Sequence, residues 1–405
     1  MTKIAIITPY GAEERLDHFA EFLLAQRLIP RGHDVRFYTY RIRSISDYAN
    51  DRTHKGVTVF RCRSLFGMAP RLVWQILRWR PQVVVLCHIR SSLNFPAYFA
   101  SRLVGAKFIF QVVGFLHDPY VVADRDNPLE SIYTDLRIIH RFPQFLGCVF
   151  RQRKLTECWE NYTFHYPLYR SDVRVTITPF ERDMLKQVTG LDSAVVPWGV
   201  RSVDPHAPET MPAPLAGRPF PATFLFYIGQ VKKRKGWDTV IEALAILKRE
   251  GITKELVFVT SSSASEYQEA IDKVHGLGLD DQVWFLFKIS NEEKTWLYRR
   301  AEATLAPSRY EGFGLTVFES WAEGVPVLGT DIPVYSDFLH DGVTGLVSKK
   351  GDPASLARNI QRLSEPGMRE KLVEGGRTKV REYTDEKIVD GFLRVIKRLQ
   401  EPDAS

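Results

Sequence analysis

Two carboxylates and two glycines stand close together in Pro307-Ser308-Arg309-Tyr310-Glu311-Gly312-Phe313-Gly314-Leu315-Thr316-Val317-Phe318-Glu319. The pattern around them reads as a strand ending at Ala306, a loop, and a helix starting near Leu315. Carboxylates accept hydrogen bonds from hydroxyls. Glycines let a backbone approach a ligand closely, and the unpaired N–H groups of a helix start favour anionic oxygens. Glu311 in the loop and Glu319 on the helix therefore reach different ends of one extended ligand: a sugar before the helix, a diphosphate at its N-terminus, a ribose alongside. Two glutamates at this spacing are commonplace on solvated helices; the setting around Gly312-Phe313-Gly314 is what gives them chemistry. Upstream, Lys232-Lys233-Arg234-Lys235 is a charge run that ends against Gly236 and a second helix. At that position Lys235, assisted by Arg234 or Lys233, can stabilise a leaving diphosphate without a metal.

Other nucleotide loops are missing. The first strand runs into Thr8-Pro9-Tyr10-Gly11-Ala12, which is no Gly-x-Gly-x-x-Gly, and Gly276-Leu277-Gly278 precedes a strand instead of opening a helix. No Gly-x-x-x-x-Gly-Lys-Ser/Thr occurs, so hydride transfer and P-loop NTP hydrolysis are set aside.

These loops need strands and helices to hold them. The first half alternates: strand Lys3–Thr8, helix Leu16–Leu28, strands Asp34–Tyr40 and Val57–Cys62, helix Pro70–Arg80. Strands Gln82–Cys87, Lys107–Val113, Thr176–Thr178 and Ala194–Pro197 follow. The continuous apolar runs among them predict parallel strands buried on both faces. Residues 201–222 hold six of the 23 prolines and read as a linker. The alternation then restarts with strand Thr223–Ile228, helix Gly236–Glu250, strand Glu255–Thr260, helix Ser265–Gly276, strand Val283–Phe287 and helix Asn291–Ala301. Strand Ala303–Ala306, helix Leu315–Glu323, strand Val325–Gly329 and helix Pro353–Leu363 complete it. The fold class expected is α/β, with two facing doubly wound Rossmann-like domains and a cleft between them. The domains would be 1–200 on the acceptor side, 223–384 binding the nucleotide sugar, and 385–405 as a helix packing back on the first.

The chain has 405 residues and a net charge of +7, distributed unevenly. Residues 1–200 hold 27 Lys/Arg against 18 Asp/Glu, while the remainder holds 28 against 30. A basic first half suits phosphates, nucleic acid or an anionic lipid surface. Four cysteines, Cys62, Cys87, Cys148 and Cys158, show no Cys-x-x-Cys pairing, which argues against a zinc ribbon or disulfide scaffold and suits a reducing cytosol. The N-terminus lacks an apolar signal region and no apolar run is long enough to span a bilayer. The expected location is cytoplasmic, peripheral on the inner face of the membrane.

The chain resembles the retaining family-4 glycosyltransferases of the GT-B fold. Glu311-Gly312-Phe313-Gly314-Leu315-Thr316-Val317-Phe318-Glu319 matches their E-x7-E signature, and Tyr227-Ile228-Gly229 through Lys235-Gly236 resembles their glycine-to-lysine diphosphate element. Gly324-Val325-Pro326-Val327, Asp341-Gly342-Val343-Thr344-Gly345 and Asp352-Pro353-Ala354-Ser355-Leu356-Ala357 resemble later elements. Pro9-Tyr10-Gly11, Arg31-Gly32-His33-Asp34-Val35 and Val196-Pro197-Trp198-Gly199-Val200 resemble those of the first domain. The resemblance implies hexosyl transfer from a nucleoside diphosphate sugar with retention, independent of metal and cofactor. It assigns catalysis to Glu311, Lys235 and His117. Donor binding falls to Gly11, Gly229, Gln230, Arg234, Lys235, Ile289, Glu311, Gly312, Phe313, Gly314, Leu315, Thr316 and Glu319, with the base near Phe287–Ile289. Three departures stand out. Gln230 replaces the usual arginine, leaving its charge to Lys232, Lys233 or Arg234. Gly11-Ala12 replaces a Gly-Gly pair. The family's histidine falls at Val113, and either His117 takes its place after a loop shift or the role is absent. His33 and His88 read as structural.

The acceptor is not encoded in any motif. Arg71–Arg80 and Leu136–Leu155 mix apolar, aromatic and basic residues, as interfacial segments do, which points to an anionic membrane surface and a lipid-linked acceptor. No nucleic-acid recognition motif is present. Two other readings fit the same scaffold: a nucleotide-sugar epimerase or hydrolase, and a catalytically silent sugar-nucleotide-binding protein.

Overall fold

A computed structural model describes residues 1–9, 20–40, 51–64, 68–113, 138–152, 155–200, 206–215 and 220–401. It divides into two compact units, Met1–Gly199 with Asp385–Ser405, and Val200–Thr384.

The first unit holds strands β1 (Lys3–Ile7), β2 (Asp34–Tyr40), β3 (Arg52–His54), β4 (Val57–Cys62), β5 (Val83–Cys87), β6 (Lys107–Gln111), β7 (Val173–Thr176) and β8 (Ala194–Val195). Their order across the sheet is β3-β4-β2-β1-β5-β6-β7-β8. Every pairing is parallel except β3 with β4. All five residues of β5 are buried, because helices cover both faces and leave no solvated side for polar residues. Chain direction across the sheet reverses between β1 and β5, which makes their carboxyl ends the switch point.

Helix α1 (Ala20–Leu28) and the C-terminal helix Asp385–Gln400 cover one face, with Phe22, Leu24, Val389, Phe392 and Ile396 in its core. Helices α2 (Pro70–Trp79) and α3 (Asn94–Leu103) cover the other, joined by Leu168 of α5 (Leu155–Arg170) and Leu185 of α6 (Pro179–Thr189). Helix α4 (Phe142–Gln152) packs on α5 through Phe145, Trp159 and Tyr162. The C-terminal helix is further tied by ion pairs from Arg27 to Asp385 (2.6 Å), Arg31 to Asp390 (2.7 Å), and Arg31 to Glu386. It approaches β8 so closely that a Cβ on Gly391 would lie 2.7 Å from Val196 Cγ1.

The second unit holds β9 (Phe224–Ile228), α7 (Trp237–Arg249), β10 (Leu256–Thr260), α8 (Ala264–Gly276), β11 (Val283–Phe287), α9 (Asn291–Arg300), β12 (Ala301–Leu305) and α10 (Leu315–Ala322). Then come β13 (Val327–Thr330), α11 (Pro333–Ser336), β14 (Leu346–Ser348), α12 (Pro353–Arg362) and α13 (Met368–Val380). The sheet order is β11-β10-β9-β12-β13-β14, all parallel, with its switch point between β9 and β12. Local sequence sets the helix starts: Ser263 with Glu266 and Ser290 with Glu293 form capping boxes. Asp352 caps α12 ahead of Pro353.

Several expectations change. The strand read at Thr176–Thr178 is Val173–Thr176, since Thr178 instead caps α6 by accepting the Glu181 N–H (3.0 Å) ahead of Pro179. The proline-rich stretch is not free chain where described: Leu215 is buried and Met211 and Phe220 pack with the second unit's core. Cys148 and Cys158 pair as a disulfide between α4 and α5, whereas Cys62 and Cys87 are free and buried. Helices α3 to α6 and α13 and strand β14 are additions that the sequence pattern does not announce.

Truncating Phe392 to Ala should destabilise the first unit by about 3–5 kcal/mol. In calorimetry its transition should drop while that of the second unit stays; movement of the second transition instead would contradict this packing.

Candidate functional site

The second sheet's carboxyl edge carries the residues singled out from sequence. Gly229 follows β9 and its N–H donates to Val259 O at 3.0 Å. The chain then makes a short turn, Lys233–Lys235, and enters α7 through Gly236 with φ +65°. A Cβ on Gly236 would lie 1.9 Å from Pro307 O. Only glycine lets the cationic turn press against the loop that leaves β12. The two loops are then sewn together. Arg309 N–H donates to Arg234 O (2.7 Å), and the Arg309 guanidinium donates to Lys233 O (2.6 Å), Asp238 Oδ1 (2.7 Å) and Thr239 Oγ1 (3.2 Å). Burial works against the Asp238 carboxylate, but Arg309 and Lys233 outweigh it and hold its pKa below the usual range.

This seam brings Lys235 to Glu311. Lys235 Nζ donates to Glu311 Oε1 at 2.5 Å, and Ser308 Oγ donates to the same oxygen at 2.8 Å. Burial pushes the Glu311 pKa up; the charges of Lys235 and Arg234 and these hydrogen bonds bring it below the ordinary carboxylate value. The loop then turns into α10 at Gly314, φ +89°, where a Cβ would lie 2.6 Å from Tyr335 Cε1. No side chain caps this helix start. Anion-favouring N–H groups around Gly314, Leu315 and Thr316 thus lie just beyond a half-buried carboxylate–ammonium contact. Phe313 is buried and stacks on Phe318 (4.5 Å), so any contact it makes to a ligand is through its main chain, as with Gly312.

Glu319 is held by α9. Lys294 Nζ donates to Oε1 at 2.9 Å and Tyr298 OH to Oε2 at 3.0 Å. Lys294 and Tyr298 are four residues apart and share one helix face. Burial, then the neighbouring Glu319, pushes the Tyr298 hydroxyl's pKa well up, so it stays a donor. At the end of β11 the exposed side chain is Phe287, 45% accessible and near Tyr267 (5.7 Å), whereas Ile289 is half-buried against the core.

The cations that sequence alone does not rank separate here. Lys232 pairs with Glu266, and Lys233 pairs with Asp238 (3.2 Å) and lies over the Trp237 ring. Arg234 receives its partner from Gln230, donating from Nη2 to Oε1 at 3.0 Å. Gln230 therefore orients the Arg234 guanidinium beside the end of β9. Sequence reasoning misses Arg309, Asp238, Ser308, Lys294 and Tyr298. Arg309 and Ser308 lie inside the Pro307–Glu319 motif, where they could have been weighed, but the α9 pair has no spacing relation to it.

In the first unit, Gly11 and His117 lie outside the described residues. Val113 stands just past β6. Beside it at the switch point, His88 has φ 72°, donates its N–H to Gln111 O (3.0 Å), and sets Nε2 2.6 Å from the fully buried Glu21. Among the described residues no group of three His, Cys, Asp or Glu side chains is placed to hold a metal ion, and no helix is long and apolar enough to cross a membrane.

Comparison with known proteins matches both units. The family described as "Glycosyltransferase Family 4" matches residues 22–202, and "Glycosyl transferases group 1" matches residues 218–379. A D-inositol 3-phosphate glycosyltransferase of Acidothermus cellulolyticus is 31% identical over 186 residues, covering 44% of this chain and 42% of that protein. The lipopolysaccharide core biosynthesis mannosyltransferase LpcC of Rhizobium leguminosarum bv. viciae is 32% identical over 171 residues, 41% of this chain and 48% of its own. The matched stretch thus spans less than half the length of these curated relatives. Among solved structures, a sucrose-phosphate synthase from Thermosynechococcus elongatus superposes with TM-score 0.75 at 18% identity, covering 98% of this chain and 99% of that one. Anabaena HepE in complex with UDP-glucose gives 0.69 at 13%, covering 98% and 100%. These two establish likeness of fold.

Substituting Gly236 by Ala should cost about 2–5 kcal/mol, from positive φ and overpacking against Pro307, as read in urea denaturation. Asp238→Asn should cost about 1.5–3 kcal/mol at neutral pH by weakening the charge-assisted hydrogen bonds from Arg309. The Asp238 pKa is depressed by folding, so its contribution is present above the unfolded value and lost as pH falls through the folded one. The gap between wild type and Asp238→Asn should therefore close below about pH 4; a constant gap would sink the assignment.

Proposed function

Because this chain belongs to the family-4-like glycosyltransferases, we propose that it transfers a sugar, with retention and without a metal, from a nucleoside diphosphate sugar to an acceptor at a membrane surface. The observation that carries this reading is the Lys235–Glu311 contact beside the uncapped start of α10.

Departure of a nucleoside diphosphate builds negative charge on phosphate oxygens. Lys235, Arg234 and the N–H groups around Gly314–Thr316 are fixed before substrate arrives, so they stabilise that charge without reorganising. Glu311 then accepts hydrogen bonds from sugar hydroxyls and fixes the anomeric carbon. Its ion pair with Lys235 keeps it an acceptor, in keeping with its lowered pKa. Glu319 receives the ribose. Each of its oxygens accepts one bond from α9 and keeps a lone pair for a ribose hydroxyl, so Lys294 and Tyr298 aim the carboxylate without consuming it. Phe287 offers an exposed ring for the base. Anabaena HepE, which shares this fold, is found in complex with UDP-glucose, and that supports a nucleotide-sugar donor here.

A thermal-shift panel of UDP, GDP, ADP and CMP with their sugar conjugates tests this. One base should raise the melting temperature by several degrees near saturation, and Glu319→Ala should abolish most of that rise. No shift with any nucleotide would overturn the donor assignment. Donor turnover without any acceptor would replace transfer by hydrolysis.

A further inference from the structure

Large apolar side chains are exposed in one region of the molecule far more than elsewhere. Nine of the thirteen exposed large hydrophobic residues among the described ones fall between Met68 and Leu155, on or beside α2, α3, α4 and α5. Helices α2 and α3 pack side by side on one face of the first sheet, α5 packs on α3, and α4 packs on α5. These helices therefore form one continuous outer layer. Its inner side chains build the core: Leu72, Ile76 and Trp79 of α2 are buried. Its outer side chains have no core to fill, and they include Trp74 (55% accessible), Leu103 (70%) and Phe150 (81%).

The charge on the same layer is predominantly positive, with Glu157 and Glu160 of α5 as its acidic residues. From Arg52 to His117 the sequence holds ten Lys/Arg and no Asp/Glu, and α2, α3 and α4 contain no acidic residue. Arg71 and Arg102 are neutralised by Asp51 and Asp172. Arg78, Arg80, Arg141 and Arg151 are exposed. Arg78 lies 5.6 Å from the centre of the Trp74 ring, so a cation and an aromatic ring project together. Single large apolar side chains set among exposed arginines have the composition of an interfacial surface: the apolar parts enter the acyl boundary while the guanidinium groups stay at phosphate level. Phosphate tracking along nucleic acid needs the cations and can use aromatic rings, but it has no use for exposed aliphatic side chains such as Leu77, Leu103, Leu146 and Leu155.

We propose that the outer face of α2, α3, α4 and α5 docks the first unit onto an anionic lipid bilayer. The occupant is chosen by charge complementarity: a leaflet rich in anionic headgroups meets a layer whose exposed arginines, Arg78, Arg80, Arg141, Arg151 and Arg170, outnumber its exposed Glu160. The inference depends on the glycosyl-transfer reading only for its purpose, which is delivery of a membrane-borne acceptor.

The full chain is tested by co-sedimentation with vesicles of phosphatidylcholine alone and of phosphatidylcholine with about 30% phosphatidylglycerol, at low and high salt. Binding should require the anionic lipid and weaken with salt. The triple variant Arg78→Gln, Arg80→Gln, Arg151→Gln should bind about a hundredfold more weakly, roughly fivefold per arginine. Trp74→Gln, Leu103→Gln, Phe150→Gln should lose at least about tenfold. Both sets are exposed, so melting temperature and the nucleotide-induced shift should stay as in wild type. Failure to sediment with anionic vesicles overturns the proposal, as does binding that survives both triple variants. A dimer in analytical ultracentrifugation that the apolar variant disperses would assign the layer to self-association instead. An intact nucleotide shift alongside failed docking would leave the donor site standing, and the reverse result would leave the docking layer standing.

Discussion

The second unit turns on one backbone contact, the approach of Gly236 to Pro307 O. Two loops from neighbouring strands, β9 and β12, can meet there because position 236 has no side chain and tolerates a left-handed backbone. The chemistry around Glu311 follows from that proximity. Arg309 can reach Asp238 and the carbonyl of Lys233, Lys235 can reach Glu311, and Ser308 can share the same carboxylate oxygen. Gly314 repeats the device further along the second loop, against Tyr335. A buried ion pair costs desolvation, which is offset only when its remaining hydrogen-bonding capacity is filled. The main-chain seam provides that filling and keeps the partners from drifting apart.

Much of this arrangement is legible in the amino-acid pattern itself. Strands such as Asp34–Tyr40, Val57–Cys62 and Val283–Phe287 stand where their apolar runs predict them. Glu311, Lys235 and Glu319 gather at the carboxyl edge of the second sheet, where open parallel sheets collect ligands. The residues that the pattern conceals share a physical cause. Lys294 and Tyr298 reach Glu319 only because α9 packs beside α10, and no spacing along the chain records that packing. Asp238 reads as a first-turn helix acid, and only its bond to Arg309 gives it a further role. Helix α5 shows little separation of apolar and polar residues because it faces protein on several sides, with Cys158, Asn161, Tyr162, Thr163, Phe164, His165 and Leu168 all buried. Aromatic contacts such as Phe95 with Tyr162 and Trp159 show how.

The two units divide the labour that their sequences suggest. The second concentrates carboxylates, cations and glycines at one sheet edge, and its net charge is near balance. The first spreads arginines over an outer helical layer and keeps a buried ionisable pair, Glu21 with His88, at the switch point of its sheet. A surface that selects by charge and apolar area tolerates drift in individual residues. A site that selects by directed hydrogen bonds does not.

The C-terminal helix completes the first unit with a segment that follows the entire second unit in the chain. About 185 residues must be synthesised between the two parts, which at ribosomal speeds takes roughly 10–40 s. For that interval the face formed by Phe22, Leu24 and Val196 lacks Val389, Phe392 and Ile396, and its apolar surface is open. The nascent first half is therefore the species most in need of a chaperone. A stop just before Asp385 would injure the unit made first, while leaving the unit made after it intact.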